Sequence, residues 1–266
     1  MPEVDPEILS FYEQAKEIER LASPHHPSGP LEFARTQELI LRHLPPGNSR
    51  VLDVGGGPGV YAQWLTELGH EVTLIDPVAL HVEQAAGRGV ASELGDARAI
   101  NRESDSVDVV LLLGPLYHLV DRPDRLLALS EAIRVVRGGG LVVAAAISRF
   151  AALLDLLVRL DRLHEESILD AVSSSLESGL FGGGESGLFT RSYLHRPLEL
   201  RAEAEQAGLR EIRIFNIEGP GFMVNDFADR WVVPARREAL LRAARLVEQD
   251  PDMLAAAGHL LLIGRK

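Results

Sequence analysis

The stretch Val51-Leu-Asp-Val-Gly-Gly-Gly-Pro-Gly-Val60 brings an acid, Asp53, into a turn with glycines at every second position, Gly55, Gly57 and Gly59. Glycine lets the backbone take positive φ and lets a ligand come close to the main chain. A helix starting at about Val60 would aim its N-terminus at whatever lies over that turn, and a carboxylate is stabilised there. The spacing reads D-x-G-x-G-x-G. A dinucleotide site uses G-x-G-x-x-G, and Val60 stands where its third glycine would lie. A second acid follows in Ile75-Asp76-Pro77. An acid roughly 20 residues beyond the glycine turn, at a strand end, can accept hydrogen bonds from both hydroxyls of a ribose. A third acid, in Gly95-Asp96-Ala97, is placed to accept from an adenine amino group.

The acid–base inventory is narrow. Of 27 basic residues only Lys16 and Lys266 are lysines, and arginine stays protonated in proteins. Lysine chemistry is therefore disfavoured, and the candidates reduce to histidines, tyrosines and carboxylates. His118 and Tyr117 stand just past an apolar run, Val107–Leu113, where a substrate would reach a sheet edge. Imidazole titrates near neutral pH, so His118 is the leading candidate base, with loop orientation as its other reading. Tyr117 shapes an acceptor pocket or packs. His195, in Thr190-Arg-Ser-Tyr-Leu-His-Arg196, either faces an acceptor or caps a helix. His25 and His26 flank prolines and read as surface residues; no metal is expected.

These residues need a scaffold, and the periodicity supplies one. Strand signals at Arg50–Val54, Glu71–Ile75, Val107–Leu113 and Leu141–Ile147 alternate with helical ones at Val60–Leu68, Val78–Gly87 and Arg122–Val136. Continuous apolar strands suit a parallel sheet covered on both faces. The pattern predicts a doubly wound α/β fold. Helices over Pro6–Ala22 and Leu31–Leu44 precede it. One helix over Phe150–Leu169, with a leucine stripe from Leu153 to Leu163, follows it. Ser173–Gly187, rich in Ser and Gly, reads as a lid or a mobile insertion. Pro197–Ala207 reads as helix, Leu209–Ile217 as strand, Ala235–Glu248 as helix and His259–Gly264 as a final strand.

Taken together, VLDVGGGPG, LIDP, GDA and the tail Leu113-Gly-Pro-Leu-Tyr-His-Leu119 resemble the class I S-adenosylmethionine-dependent methyltransferases, in their small-molecule branch. The resemblance is strong over Arg50–Ile147 and looser on either side. It implies a Rossmann-like seven-stranded sheet, mostly parallel with an antiparallel last strand, and helical cap insertions. It implies S-adenosyl-L-methionine as methyl donor, S-adenosyl-L-homocysteine as product, and an O, N or C nucleophile of a small molecule as acceptor. By the same resemblance Gly55, Gly57 and Gly59 approach the methionine part, and Asp53 orders that loop through its amides. Asp76 binds the ribose, Pro77 lines the adenine slot, and Asp96 and Ala97 contact the adenine. Leu113 and Gly114 bring backbone to the sulfonium, and Tyr12 and Arg35 reach over the methionine end. One departure is Ile100-Asn-Arg-Glu103, where such enzymes often carry Leu-Pro; it falls on a surface loop. Alternatives are a non-catalytic nucleotide-binding module and an NAD(P)-dependent oxidoreductase, the latter opposed by the glycine spacing.

Composition fits this reading. The net charge of −12 argues against a nucleic-acid partner. No cysteine is present, so disulfides and thiolate chemistry are excluded. The longest apolar runs fall far short of the roughly 20 residues of a membrane helix, and a cytoplasmic protein is expected. The expected organisation is N-terminal covering helices over 1–46, a donor-binding core over 47–149 and a cap over 150–196. The core is completed over 197–266, with a helical insertion at about 219–257. The leucine stripe reads as core packing or as a homodimer face.

Overall fold

The computed structural model describes residues 2, 5–12, 21, 23, 28–182 and 189–266. Two helices lead, α1 (Pro6–Tyr12) and α2 (Gly29–His43). The alternating unit follows: β1 (Arg50–Val54), α3 (Val60–Glu67), β2 (Glu71–Asp76), α4 (Ala79–Gly87), β3 (Ala91–Leu94), β4 (Val107–Leu112), α5 (Pro115–His118), α6 (Arg122–Val135) and β5 (Val136–Ile147). A cap of α7 (Ala151–Val158), α8 (Glu166–Ser178) and the hairpin β6 (Leu180–Phe181) and β7 (Ser192–Tyr193) comes next. The chain closes with α9 (Pro197–Ala207), β8 (Arg210–Asn216), a 3-10 turn at Gly219–Met223, α10 (Phe227–Trp231), α11 (Pro234–Val247) and β9 (His259–Arg265). No helix among the described residues is long and apolar enough to cross a membrane.

Seven strands form one sheet in the order β3-β2-β1-β4-β5-β9-β8. Neighbours from β3 to β5 run parallel, and β9 runs antiparallel to both β5 and β8. The chain leaves β1 toward β2 and β3, then returns to β4 on the other side. The sheet therefore reverses direction at the carboxyl ends of β1 and β4, where a crevice opens. Successive side chains alternate between faces. Leu52, Val110, Leu112 and Val142 pack under α6 and α9, while Val51, Val109, Leu111 and Val143 pack under α2, α3 and α4. Both faces are buried, which is why these strands read as unbroken apolar runs.

Three expectations change. The predicted Phe150–Leu169 helix is two, α7 and α8, separated where Asp161 takes φ +49°. Its leucine stripe divides accordingly: Leu156 is buried, while Leu157 and Leu160 are about half exposed. Ser173–Ser178 is no loop; it forms the last turns of α8, which Gly179 ends at φ +85°. Residues 183–187 of the expected lid lie outside the described residues, as do 13–20 and 22 of the expected first helix. The strand expected over Leu141–Ile147 starts earlier, at Val136, and takes in Gly138–Gly140 at a register shift against β4.

One buried charge joins the core to its closing segment. Arg125 on α6 is 1% exposed. It forks onto Glu203 of α9 (Nε 3.0 Å, Nη2 2.8 Å), donates Nη1 to the carbonyls of Leu119 (2.9 Å) and Val120 (2.8 Å), and lies 3.7 Å over the Tyr193 ring. Arg125→Met strands Glu203 in a dry site, and urea unfolding is expected to register a loss of about 3–5 kcal/mol. Burial raises the Glu203 pKa, but hydrogen bonds from His195 and Arg125 outweigh it and bring the carboxyl to about 2 from 4.5. The folded value is depressed, so this stabilisation is present above pH 4.5 and lost as pH falls through about 2. Glu203→Gln should flatten the acid limb of a stability-against-pH curve in that window.

Candidate functional site

The glycine turn sits at the sheet reversal. The Gly55 N–H donates to the Ile75 carbonyl at 2.7 Å, and its φ is +67°. A Cβ there would lie 2.6 Å from the Pro115 ring, and one on Gly114 would lie 2.9 Å from the Gly55 carbonyl oxygen. These two glycines bring the exits of β1 and β4 into contact. Gly57 differs: at φ +57° a Cβ would meet nothing within 4 Å. It faces open space. Gly59, at φ +81°, heads α3, and a Cβ there would stand 2.9 Å from the Ala85 Cβ. Its role is to let α3 and α4 close on each other, and it does not line the cavity below.

Asp76 organises the turn. One carboxylate oxygen accepts the Gly57 N–H at 2.9 Å; the other accepts the Val78 N–H at 2.9 Å and the His81 Nδ1–H at 3.1 Å. Ordering by Asp53 was the expectation, and this is a correction. Asp53 is fully buried, and neither carboxylate oxygen has a hydrogen-bond partner among the described residues. Burial, with the negative Asp76 adding to it, pushes its pKa up to about 7 from 3.8. An unpartnered buried carboxyl costs free energy that a cationic ligand group would return. His81 was not picked out from the sequence. Its ring is buried, its Nε2 has no hydrogen-bond partner among the described residues, and it opens onto the same cavity. Its one signal was position, half a turn into the helix after Asp76.

That cavity, of about 540 Å³, is lined by Asp53, Gly55, Gly57, Asp76, Pro77, Asp96, Ala97, Leu113 and Gly114, together with Tyr12, Tyr117 and His118. The structure thus gathers most of the expected donor residues. Asp96 carries a prior engagement: Arg98 holds both its oxygens, with Nε at 2.9 Å and Nη2 at 2.8 Å. Tyr12, from α1, lines the cavity, and its hydroxyl is hydrogen-bonded to His118 Nε2 at 2.6 Å. His118 is partly buried, and burial pushes its pKa down to about 3. The hydrogen bond ties Tyr12 to the exit of β4. Arg35 and His195 line neither this cavity nor the next. Arg35 is fully buried and paired with Glu38 and Glu248. His195 is buried under the cap, 3.4 Å from Glu203, with its pKa lowered by burial. His25 and His26 lie outside the described residues.

A second cavity of about 380 Å³ shares Tyr12 and Tyr117 with the first. Its walls come from the cap (Ala152, Leu156, Phe181), from Phe189, from Phe222 of the 3-10 turn and from Ile147. Glu32 and His259 also face it. His259 Nδ1 donates to Glu218 at 2.6 Å, and the His259 backbone N–H donates to the same carboxylate at 3.0 Å. Atoms of Glu32, Glu218 and His259 that could hold a proton or a cation lie within 4.8 Å of one another. The sequence reading missed this trio because its members are spread over 228 positions, from Glu32 on α2 to His259 on β9.

Comparison with known proteins gives the arrangement relatives. Residues 51–140 match the family model described as a methyltransferase domain. A ubiquinone biosynthesis O-methyltransferase of Methylocella silvestris is 27% identical over 169 residues, covering 55% of this chain and 65% of that protein. An uncharacterized methyltransferase of Mycobacterium tuberculosis is 40% identical over 99 residues, covering 36% of this chain and 39% of that protein. The chain thus spans less than two thirds of these curated relatives. Among solved structures, a SAM-dependent methyltransferase from Thermotoga maritima, described as a possible histamine N-methyltransferase, superposes with a TM-score of 0.59 at 17% identity, covering 96% of this chain and 98% of that one. That likeness establishes the fold.

The Asp53 carboxyl is raised in the folded state, so it adds stability that is full below pH 3.8 and lost as pH rises through about 7. In thermal unfolding of ligand-free protein, Asp53→Asn should gain on the wild type above pH 7 and lose that advantage near pH 4. Parallel curves across this range would show that the carboxyl has found a partner.

Proposed function

We propose that this protein, whose residues 51–140 form a methyltransferase domain, moves a methyl group from S-adenosyl-L-methionine to a small-molecule acceptor. The observation that carries the reading is the first cavity, where an unsatisfied buried acid, an open glycine and a ribose-type acid at a strand end line one crevice. When bound, S-adenosylmethionine supplies a methyl already activated by its sulfonium, for in-line displacement by an O, N or C nucleophile. Its ammonium and sulfonium are the cations that a buried Asp53 favours, and the open face of Gly57 leaves room for its methionine part.

The chain's own residues then have a limited task, because positioning supplies most of what such a displacement needs. Asp53 and Asp76 hold the two polar ends of the donor, Asp76 while fixing the glycine turn that carries it. Pro77, Ala97 and Val78 give the adenine an apolar slot. Tyr12 and Tyr117 stand between the two cavities, where the donor's methyl would meet the acceptor. Tyr12 closes the donor off from water and is itself held by His118.

Calorimetric titration with S-adenosylhomocysteine, with NAD and NADP alongside, tests the reading. Micromolar binding of S-adenosylhomocysteine alone is expected; a preference for NAD would overturn it. Two substitutions sharpen the test. Asp76→Asn should weaken that binding at least tenfold, because charge-assisted bonds to a ribose are lost. Gly57→Ala should cost the free protein only about 1–2 kcal/mol for a side chain at positive φ, yet fill the space left for the ligand and weaken binding at least as much. Unchanged affinity in both variants would move the donor out of this cavity.

A further inference from the structure

We infer that Arg191, carried by the cap, binds the carboxylate of the methyl donor; this deepens the donor reading of the first cavity and rests on it. Arg191 lines that cavity and not the second. It is exposed, and among the described residues it has no hydrogen-bond or ion-pair partner. Arg98, the other arginine of the lining, is held by Asp96 and Asp124. Arg35, expected at this end of the donor, is taken by Glu38 and Glu248 and lines neither cavity.

The sheet gives the donor a direction. Along the order β3-β2-β1-β4, Asp96 follows β3, Asp76 ends β2, Asp53 lies in β1 and Pro115 follows β4. With the ribose at Asp76 and the adenine at Asp96 and Ala97, the amino-acid end lies toward the exits of β1 and β4. The cap meets the crevice at that end. There β7 packs on α5. The Phe189 ring, two residues before Arg191, stacks on His118 with centroids 6.1 Å apart and meets Phe11 of α1 edge-on at 5.7 Å. Thr190 and Ser192, on either side, are buried in the cap, while Arg191 is exposed and lines the crevice. Ser192 pairs with Phe181 across the hairpin, and its hydroxyl donates to the Phe181 carbonyl at 3.0 Å. The backbone beside the guanidinium is thus held, and only the side chain is left for a ligand to order.

The charges ask for a cation here. Asp53 and Asp76 line this cavity, and a donor carboxylate placed beside them would meet like charge. A guanidinium forks onto a carboxylate with two parallel N–H donors. The donor is thereby divided among groups of matching kind: its ammonium to Asp53, its ribose to Asp76, its carboxylate to Arg191. The same cap segment walls the second cavity through Phe181 and Phe189, so donor and acceptor sites share it.

The test titrates the full chain calorimetrically with two ligands, S-adenosylhomocysteine and S-adenosyl-3-thiopropylamine, the same molecule without its carboxylate. The wild type is expected to bind S-adenosylhomocysteine at least tenfold more tightly than the amine. Arg191→Met should weaken S-adenosylhomocysteine at least tenfold and leave the amine unchanged, so that the preference disappears. Arg191→Lys, which keeps the charge and loses the fork, should recover part of it. Because Arg191 is exposed and unpaired, both variants should melt with the wild type, and the loss then reports on the ligand contact. Arg191→Met holding S-adenosylhomocysteine as tightly as the wild type, or weakening both ligands equally, would overturn the assignment. If the wild type binds neither ligand, the donor reading itself fails; if it binds S-adenosylhomocysteine and Arg191→Met leaves that affinity in place, only the Arg191 assignment falls.

Discussion

The carboxylate of Asp76 is where the strand scaffold becomes a binding site. It closes β2, accepts the amide of Gly57 from the turn after β1, accepts the amide of Val78 that starts the path into α4, and fixes the ring of His81. The turn after β1 and the path from β2 into α4 are thereby held at one corner of the sheet. A carboxylate can only accept, so His81 must present Nδ1–H to it and leave Nε2 unprotonated in the neutral ring. The turn is thus shaped before any ligand arrives. A ribose would complete the carboxylate's coordination without first ordering the loop.

Asp53 is the counterpart of that satisfaction. It stands one strand away, with no partner of its own and with the charge of Asp76 acting on it. A fold selected for stability alone would place an apolar residue there, as β1 does at Val51, Leu52 and Val54. The strain is local and electrostatic, and a cation relieves it. Sites of this kind are common where a ligand is expected to supply the missing charge.

The central sheet was legible because its physics is local. Runs such as Val107–Leu112 are apolar on both faces, glycines mark the turns, and acids fall at strand ends, so order and type follow from spacing. That Asp53, Gly55, Gly57, Asp76 and Asp96 line one cavity was legible for the same reason. What failed depended on tertiary partners. Arg35 carries nothing in its neighbourhood to announce that Glu248, far along the chain, takes its guanidinium. For His118 the spacing could not show its hydrogen bond with the Tyr12 hydroxyl, a contact over 106 positions. Ser173–Ser178 looked like loop from composition, yet Ile168, Val172 and Leu194 bury one face of α8 and make it helix. The second cavity was invisible, since its walls come from β5, two cap elements and a turn that no periodicity connects.

Tyr12 joins the two halves of this account. Its ring borders both cavities, its edge meets His81 beside Asp76 at 5.3 Å, and its hydroxyl is tied to His118 at the exit of β4. The hydrogen bond to His118 fixes the ring against the β4 turn, so Tyr12 ties the N-terminal helix to the strand exit at the border of the two cavities.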